Sequence, residues 1–238
     1  MKTLGLLGGM SWESTLPYYR QINETVRERL GGLHSARLLL YSVDFAEVER
    51  LQHAGDWDAA GALLGRAACS LRDGGAQLLV ICTNTMHKVA DAVEAACGLP
   101  LLHIADPTGA AIRAAGLQRV GLLGTRFTME QDFYRRRLIQ RHGLEVLVPD
   151  PPARERVHAI IYDELCLGRI RDESRREYQA IIDGLVARGA QGVILGCTEI
   201  GLLIGPDDVA IPRFDTAALH ARAAALAAIG HDESDAGD

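Results

Sequence analysis

The chain contains two copies of a short segment that reads as a strand, and this internal repeat is the feature that most constrains its fold. The segment GAQLLVICT at positions 75–83 aligns without a gap with GAQGVILGC at 189–197, an offset of 114 residues. A second pair, GLLG at 5–8 and again at 121–124, repeats at an offset of 116 residues. Two similar halves can present equivalent loops on opposite sides of one cleft. The repeat therefore predicts that Thr83 and Cys197 face each other across such a cleft.

The composition is that of a globular protein with a sizeable core. Hydrophobic residues make up 48% and charged residues 24% of the 238-residue chain, which is ordinary for globular domains. The net charge of −6 argues against nucleic-acid binding, because affinity for a duplex rests on clustered Lys and Arg. No apolar run reaches the roughly 18 residues of a membrane helix, and the start lacks the features of a signal peptide. We therefore expect neither a nucleic-acid nor a membrane partner.

Cysteine and lysine usage bears on location and on cofactors. Five cysteines without a CxxC pair fit a reducing cytoplasm better than a disulfide framework. No Cys/His cluster has the spacing of zinc ligands, so we expect no metal site. Lys2 and Lys88 are the only lysines, and neither lies in a motif suited to a Schiff base, so we expect no pyridoxal phosphate and no other cofactor.

Short apolar runs alternate with helical patterns along the chain. Runs rich in Leu, Val and Ile that end on Gly, Asp, Pro or Thr are typical of buried parallel strands. The predicted strands are Thr3–Leu7, Arg37–Ser42, Leu78–Ile81, Leu101–Ile104, Val120–Leu123, Glu145–Val148 and Val193–Leu195. The predicted helices are Ser14–Leu30, Asp56–Asp73, His87–Ala96, Pro107–Ala115, Met129–His142, Ala153–Leu165, Glu173–Arg188 and Thr216–Ile229.

This alternation predicts an α/β fold made of two pseudo-symmetric parallel-sheet domains, with the active site in the cleft between them. We expect residues 1–99 together with 212–230 to form the first domain and residues 100–211 the second. The polar end, 231–238, is predicted to be a flexible tail.

Polar residues follow four of the predicted strands, where ligands bind in open α/β sheets. The four strand ends are Gly8-Gly9-Met10-Ser11, Thr83-Asn84-Thr85, Gly124-Thr125 and Cys197-Thr198-Glu199. The first of them lacks both the GxGxxG spacing and the P-loop motif. It predicts a tight turn whose backbone N–H groups bind a carboxylate, rather than a nucleotide site. The segment 83–87 suits the binding of carboxylate and ammonium groups; its alternative interpretation is a helix cap.

Cys197 is the candidate reactive group. We expect nearby donors or a helix N-terminus to lower the thiol pKa from its usual ~8.5, giving thiolate at neutral pH. Side chains alternate along a strand, so if Thr83 faces the cleft, Cys82 faces away and is a packing residue. The remaining cysteines lie in helical apolar patterns and are also interpreted as packing residues: Cys69, Cys97 and Cys166.

These four motifs, in this order, resemble the aspartate/glutamate racemase family of cofactor-independent amino-acid racemases, from about Met1 to Ile229. The family's usual motifs are Cys-Asn-Thr-x-His and Gly-Cys-Thr, and its fold is two α/β domains related by pseudo-twofold symmetry. Here Thr83 stands where the first catalytic cysteine is expected. That departure, together with Met10, Gln52 and the stretch 124–132, resembles the L-aspartate/glutamate-specific racemase subgroup.

The resemblance implies a set of functional residues and a partner. Thr83 and Cys197 are implied to be catalytic, and the residues implied to contact the amino-acid substrate are Met10, Gln52, Asn84, Thr85 and Thr198. A homodimer is implied as well. In the broader family a basic residue on a helix helps to bind the distal carboxylate, but Glu164 lies in that region here. The preference for aspartate or glutamate therefore stays open.

Racemisation removes the α-proton from one face and returns a proton to the other, so an acid and a base on opposite sides suffice. The predicted mechanism has Cys197 thiolate abstract the proton from the L-enantiomer. The Thr83 hydroxyl, or a water it holds, then delivers a proton on the far face, while donors around the α-carboxylate stabilise the carbanion. Because an alcohol is a poor base, we expect L-substrates to react well and D-substrates poorly.

Three other functions compete with this one. The first is a sister reaction of the superfamily, such as hydantoin racemisation, maleate isomerisation or arylmalonate decarboxylation. The second is a broader amino-acid racemase acting on neutral substrates. The third is an amino-acid-binding protein in which Thr83 marks the loss of catalysis.

Overall fold

Two four-stranded parallel sheets, each covered by helices, make up the computed structural model, which describes residues 1–230. The predicted tail at 231–238 lies outside the described residues. The first part contains β1 (Leu4–Gly8), α1 (Trp12–Leu30), β2 (Leu38–Ser42), α2 (Phe45–Ala54), α3 (Trp57–Asp73), β3 (Leu78–Ile81), a 3₁₀ turn (Thr85–Val89), α4 (Ala90–Cys97) and β4 (Leu101–Leu102).

The second part follows the same plan. It contains α5 (Ala105–Ala114), β5 (Arg119–Gly124), α6 (Arg126–Glu130), α7 (Asp132–His142), β6 (Glu145–Leu147), α8 (Pro151–Asp163), a 3₁₀ turn (Leu165–Leu167), α9 (Asp172–Ala187), β7 (Val193–Gly196), α10 (Ile200–Leu203), a 3₁₀ turn (Pro206–Asp208), β8 (Arg213–Asp215) and α11 (Thr216–Ile229). Over residues 1–230, no helix combines the length and the apolar character that crossing a membrane requires.

The internal repeat corresponds to a repeat of sheet topology. The strand orders are β2-β1-β3-β4 and β6-β5-β7-β8, so the repeated segments are the two central strands of each sheet. In the first sheet Leu6 pairs with Val80, and in the second Leu122 pairs with Ile194. The predicted α/β class with two related parallel sheets is confirmed.

The central strands are buried on both faces, and their side chains alternate between two cores. Leu79 and Ile81 pack with the helices α3 and α4, whereas Val80 and Cys82 pack with α1 and α11 on the opposite face. Cys82 is fully buried there, and burial raises the pKa of its thiol. The interpretation of Cys82 as a packing residue is confirmed.

Helix α11, the last element within residues 1–230, packs on α1 and so covers the first sheet.

The predicted domain boundaries assign two short edge strands to the wrong sheet. β4, at 101–102, pairs with β3 in the first sheet, and β8, at 213–215, pairs with β7 in the second. The predicted boundaries at 99/100 and 211/212 therefore fall a few residues before the strand that completes each sheet. The division into domains stays a prediction.

Several other predicted elements need correction. The predicted helix Met129–His142 is two helices, because Gln131 has an extended backbone that ends α6 before α7 begins. The predicted strand Leu101–Ile104 is only two residues long. The elements α2, α10 and β8 were not predicted; in α2 only Val48 and Gln52 are buried, which leaves too little apolar periodicity to recognise.

A buried tyrosine–histidine pair ties α11 to α1 and to the first sheet. His220 donates from Nε2 to the Leu102 carbonyl oxygen at 2.8 Å, which leaves Nδ1 to accept from the Tyr18 hydroxyl at 2.9 Å. Burial lowers the pKa of His220 to about 4, so the ring is neutral at physiological pH. Both side chains thereby satisfy their polar atoms inside the core.

Replacing Tyr18 with Phe leaves the buried Nδ1 of His220 without a donor. We expect the free energy of unfolding in urea to fall by about 1–3 kcal/mol, the usual cost of an unsatisfied buried polar group. Tyr19→Phe is the matched control, because the Tyr19 side chain is 54% exposed and should change stability by less than about 0.5 kcal/mol. Equal stability of the Tyr18→Phe protein and the parent would contradict this account.

Candidate active site

The carboxyl ends of the four central strands meet where the two sheets adjoin. After β1, the backbone N–H and the hydroxyl of Ser11 donate to Glu199 Oε1, which follows β7, at 3.1 and 2.8 Å. After β3, the Thr85 hydroxyl lies 2.9 Å from the hydroxyl of Thr125, which follows β5. These contacts join residues up to 188 positions apart. The convergence predicted for the four strand ends is therefore present in the structure.

The turn after β1 depends on a glycine. Gly9 has φ of +88°, in the region that favours glycine, and a Cβ there would collide with the backbone of Val43. The Gly9 N–H donates to the hydroxyl of Thr15 at 2.9 Å. The turn thereby holds Met10 and Ser11 at the junction of the two sheets.

Cys197 comes directly after β7 and Thr83 two residues after the end of β3, and the two positions are equivalent in the internal repeat. Each retains 8% of its accessible surface, whereas the neighbouring Cys82 retains none. Behind Thr83, His87 donates from Nδ1 to the Thr83 carbonyl oxygen at 2.8 Å and accepts from the Ile104 N–H at Nε2, at 3.1 Å. Burial lowers the pKa of His87, so this neutral tautomer persists at physiological pH.

A buried carboxylate organises the residues around Cys197. Glu199 Oε2 accepts from the Cys197 thiol and from the Thr198 hydroxyl, each at 2.9 Å, while Oε1 accepts the two bonds from Ser11. Four donors therefore satisfy one carboxylate, which offsets much of the cost of burying it. The same contacts bring donors of both halves to one point.

The expected low pKa of the Cys197 thiol is wrong for this structure. Burial raises that pKa well above its usual value, and the negative charge of Glu199 raises it further. The hydroxyls of Ser11 and Thr198 bond to the Glu199 carboxylate and not to the sulfur. The backbone N–H of Glu199 lowers the pKa of the thiol, but by less than burial and the carboxylate raise it, and α10 is only four residues long. Cys197 therefore keeps its proton here and donates it in a hydrogen bond to Glu199.

The residues implied to bind the substrate are all buried beside this junction: Met10, Gln52, Asn84, Thr85 and Thr198. Asn84 donates from Nδ2 to the Thr216 hydroxyl at 2.9 Å. Its Oδ1 is buried and has no hydrogen-bond partner among the described residues. Unpaired buried acceptors are uncommon in folded proteins, so Asn84 Oδ1 is a candidate acceptor for a ligand donor.

Gln52 is held by a tyrosine from the other half. The Tyr162 hydroxyl, on α8, donates to Gln52 Oε1 at 2.8 Å, and Gln52 Nε2 lies 3.0 Å from the sulfur of Met86. Burial raises the pKa of the Tyr162 phenol, with smaller contributions from Cys197 and Glu199, so the phenol is a neutral donor near the thiol.

Glu164, which lies where a basic residue is expected from the resemblance, has its own partners. Its Oε2 accepts from the Ser174 hydroxyl at 2.6 Å, and its Oε1 lies 3.9 Å from Arg171. Within residues 1–230, the hydrogen bonds and ion pairs of Gln52 and Tyr162 include no Lys or Arg. Gln52 and Tyr162 therefore bond to neutral groups.

Ser11, Thr125 and Glu199 lie within the four strand-end motifs, but nothing in the sequence was a reason to assign them a role. The position of Glu199, two residues after Cys197, was the available signal for its contact with the thiol. Tyr162 was missed, because nothing in the sequence links it to Gln52 at a separation of 110 residues. In the described part of the chain, no group of three or more His, Cys, Asp or Glu side chains is arranged to hold a metal ion.

This geometry defines a class of protein: two similar α/β halves that join a buried thiol, a carboxylate and several hydroxyls at one junction of strand ends. A family model described as Asp/Glu/Hydantoin racemase matches residues 7–224. The chain belongs to that family.

Solved structures and curated sequences place the chain among racemase homologues. It is 60% identical to a candidate Asp/Glu racemase from Yersinia pestis, covering 97% of this chain and 100% of that one, with a TM-score of 0.89. An aspartate racemase homologue from Pyrococcus horikoshii OT3 is 35% identical over 97% of this chain and 100% of that one, with a TM-score of 0.82. A glutamate racemase from Synechococcus sp. (strain CC9605) is 29% identical over 56% of this chain. That match spans 48% of the cyanobacterial protein, about half of its length.

Changing Glu199 to Gln tests what sets the protonation of Cys197. Removing the negative charge should lower the pKa of the Cys197 thiol, because the charge that opposes thiolate formation is gone. The measurement is a pH titration of thiolate absorbance, taken as the difference between each protein and its Cys197→Ser counterpart.

Glu164→Gln is the matched control, since Glu164 is also a buried carboxylate but bonds to Ser174 and not to the thiol. An unchanged midpoint in Glu199→Gln, or an equal fall in both variants, would refute the assignment.

Proposed function

We propose that this protein is a cofactor-independent amino-acid racemase that acts on aspartate or glutamate and prefers the L-enantiomers. The observation that carries the proposal is the Cys197 thiol bonded to the buried Glu199 carboxylate at the junction of the two halves. Thr83 occupies the equivalent position in the other half. Membership of the family supports the class of reaction.

In the proposed mechanism Glu199 takes the proton of Cys197. The hydrogen bond of 2.9 Å between them is the path for this transfer. A substrate ammonium group bound nearby adds a positive charge, which favours the thiolate and opposes the effect of Glu199. The thiolate then abstracts the α-proton of the L-enantiomer, so sulfur regains a proton and the substrate becomes a carbanion.

Thr83 acts on the opposite face. Its hydroxyl, or a water that it holds, gives a proton to the carbanion and so forms the D-enantiomer. The oxygen left deprotonated regains a proton from solvent, and Glu199 releases the proton that it took from Cys197. Thr83 is a poor base in the reverse direction because an alcohol holds its proton far more tightly than a thiol does. The two faces of the site are therefore chemically unequal.

The substrate's own charged groups meet neutral donors and acceptors. Asn84 Oδ1, the unpaired buried acceptor, receives the substrate ammonium. The Thr85 hydroxyl, and the Thr198 hydroxyl once it leaves Glu199, bind the α-carboxylate and stabilise the charge that develops there. Met10 packs against the bound amino acid from the same turn.

Gln52 and Tyr162 face the substrate side chain in this proposal. Both are neutral, and no cation accompanies them in the hydrogen bonds of the described chain. That observation favours a second candidate, a racemase of broader specificity that also accepts neutral side chains such as that of homoserine.

The proposal further includes a homodimer in the cytoplasm. Light scattering on the purified protein measures the oligomeric state and so tests the homodimer.

Replacing Cys197 with Ala or with Ser should abolish the reaction. We expect loss of α-proton exchange from L-aspartate and L-glutamate by at least about 10²-fold, the usual contribution of a general base. Proton NMR in deuterated water measures the exchange, and enantiomer-resolved chromatography identifies the product. Cys69→Ser, at a cysteine outside the site, should retain the parent rate.

Near-normal exchange in both Cys197 variants would refute the mechanism. Calorimetric binding of the parent protein to these amino acids with no deuterium incorporation would instead indicate a binding protein.

Thr83→Cys should confer activity on D-enantiomers, because a thiol can serve as the second base where an alcohol cannot. The measurement is the initial rate with D-aspartate and D-glutamate, compared with the parent. Thr83→Ser keeps a hydroxyl and should show no such gain. If Thr83→Cys folds but gains nothing, Thr83 does not face the α-carbon opposite Cys197.

A further inference from the structure

A cavity with a basic lining lies behind the segment that carries Thr83. It has a volume of about 320 Å³ and opens between α7 and the 3₁₀ turn at 85–89. Four cationic side chains line it: Lys88, Arg136, Arg137 and Arg141. His87 and His103 also line it, and Asp91 is the acidic residue of its lining. The volume lies within the range of small-molecule sites.

Two of the four cations form close ion pairs with carboxylates, and the other two can bind an incoming anion. Arg137 makes a bidentate pair with Asp106, with both distances 2.6 Å, and Arg136 lies 2.8 Å from Asp132. Arg141 is 61% exposed and reaches that same Asp106 only at 3.6 Å.

Within residues 1–230, Lys88 Nζ makes no ion pair with a carboxylate; it donates to Gln131 Oε1 at 2.5 Å and lies 3.9 Å over the Trp57 ring. Lys88 and Arg141 are therefore the charges that an incoming anion can engage. Burial lowers the pKa of Lys88, and a bound anion would oppose that effect.

His103 lines the cavity as a neutral ring. Burial lowers the pKa of His103 to about 3, and the charges of Arg137 and Arg141 contribute to the lowering. His103 Nδ1 accepts from the Ala105 N–H at 3.2 Å, so the neutral ring carries its proton on Nε2. The cavity thus combines cations with a neutral donor, which suits a tetrahedral oxyanion.

We propose that this cavity binds a small phosphate-type dianion, held by Lys88 and Arg141 with Arg137 fixed beside them. Lys88 comes from the first half of the chain and the arginines from α7 in the second, so the anion bridges the two halves. Nothing in the proposed reaction uses this cavity. The binding site is therefore independent of the proposed function.

A bound anion can also act on the catalytic segment. His87 lines the cavity, directly precedes Lys88, and holds the Thr83 carbonyl oxygen from Nδ1. An anion that displaces the Lys88 backbone would therefore also displace His87, which holds the Thr83 carbonyl oxygen. This coupling rests on the proposed function, whereas the binding itself does not.

Calorimetry on the full-length protein tests the binding, with inorganic phosphate, glycerol 3-phosphate and succinate as separate probes at low ionic strength. We expect saturable binding at one site per chain for the phosphate-type probes. Lys88→Met with Arg141→Gln should raise the dissociation constant at least tenfold. Lys2→Met is the matched control, because it removes the only other lysine and leaves the cavity intact.

The relative affinities of phosphate and glycerol 3-phosphate distinguish a free anion from a phosphate ester, and either result supports the proposal. Absence of saturable binding by both, binding of succinate alone, or equal binding by the double variant would overturn it. Histidine NMR provides a second readout: the ring signals of His87 and His103 should shift with phosphate in the parent and not in the double variant. Both readouts are independent of catalysis, so a protein without racemase activity can still support the site.

Discussion

The buried Glu199 carboxylate is the group on which the arrangement of the site depends. An ionised carboxylate in a protein interior costs several kcal/mol unless hydrogen bonds compensate it. Here it draws in the thiol of Cys197, the hydroxyl of Thr198 and both donors of Ser11. These donors follow strands of different sheets, so satisfying one charge also aligns the two halves. Burial, and after it the charge of Glu199, raise the pKa of the Cys197 thiol.

The repeated topology explains why such a junction exists. Each sheet has its repeated strands at the centre, in the orders β2-β1-β3-β4 and β6-β5-β7-β8. Parallel strands deliver their carboxyl ends to one edge, which is where α/β sheets bind ligands. Where the two edges meet, the segment after β1 contacts the one after β7, and the segment after β3 contacts the one after β5. Thr83 and Cys197 are equivalent in the internal repeat, yet one carries an alcohol and the other a thiol.

Much of the fold could be predicted from the sequence because the central strands are continuous apolar runs. β3 and β7 are buried throughout and repeat within the chain, so both period and position were visible. β8 has one buried residue, Phe214, between Arg213 and Asp215, and a three-residue strand of that kind has no recognisable pattern. Helix α2 was not predicted for a related reason, since few of its residues reach the core.

The sequence predicted that the four strand ends of the candidate site converge, but not the electrostatics of the groups there. The motif after β7 indicated Cys197 as the candidate reactive residue. The sequence did not indicate that the Cys197 thiol and the Thr198 hydroxyl both donate to Glu199, which the structure shows. The bond between Tyr162 and Gln52 joins two helices of different halves, and no local pattern encodes such a contact.

A crystal structure of the Cys197→Ser protein with bound L-glutamate tests the central claim most directly. We predict that the α-carbon of L-glutamate lies between the side chain of residue 197 on one face and the Thr83 hydroxyl on the other. We also predict that the ammonium group of the ligand donates to Asn84 Oδ1. A ligand bound elsewhere, or with both side chains on the same face of the α-carbon, would contradict it.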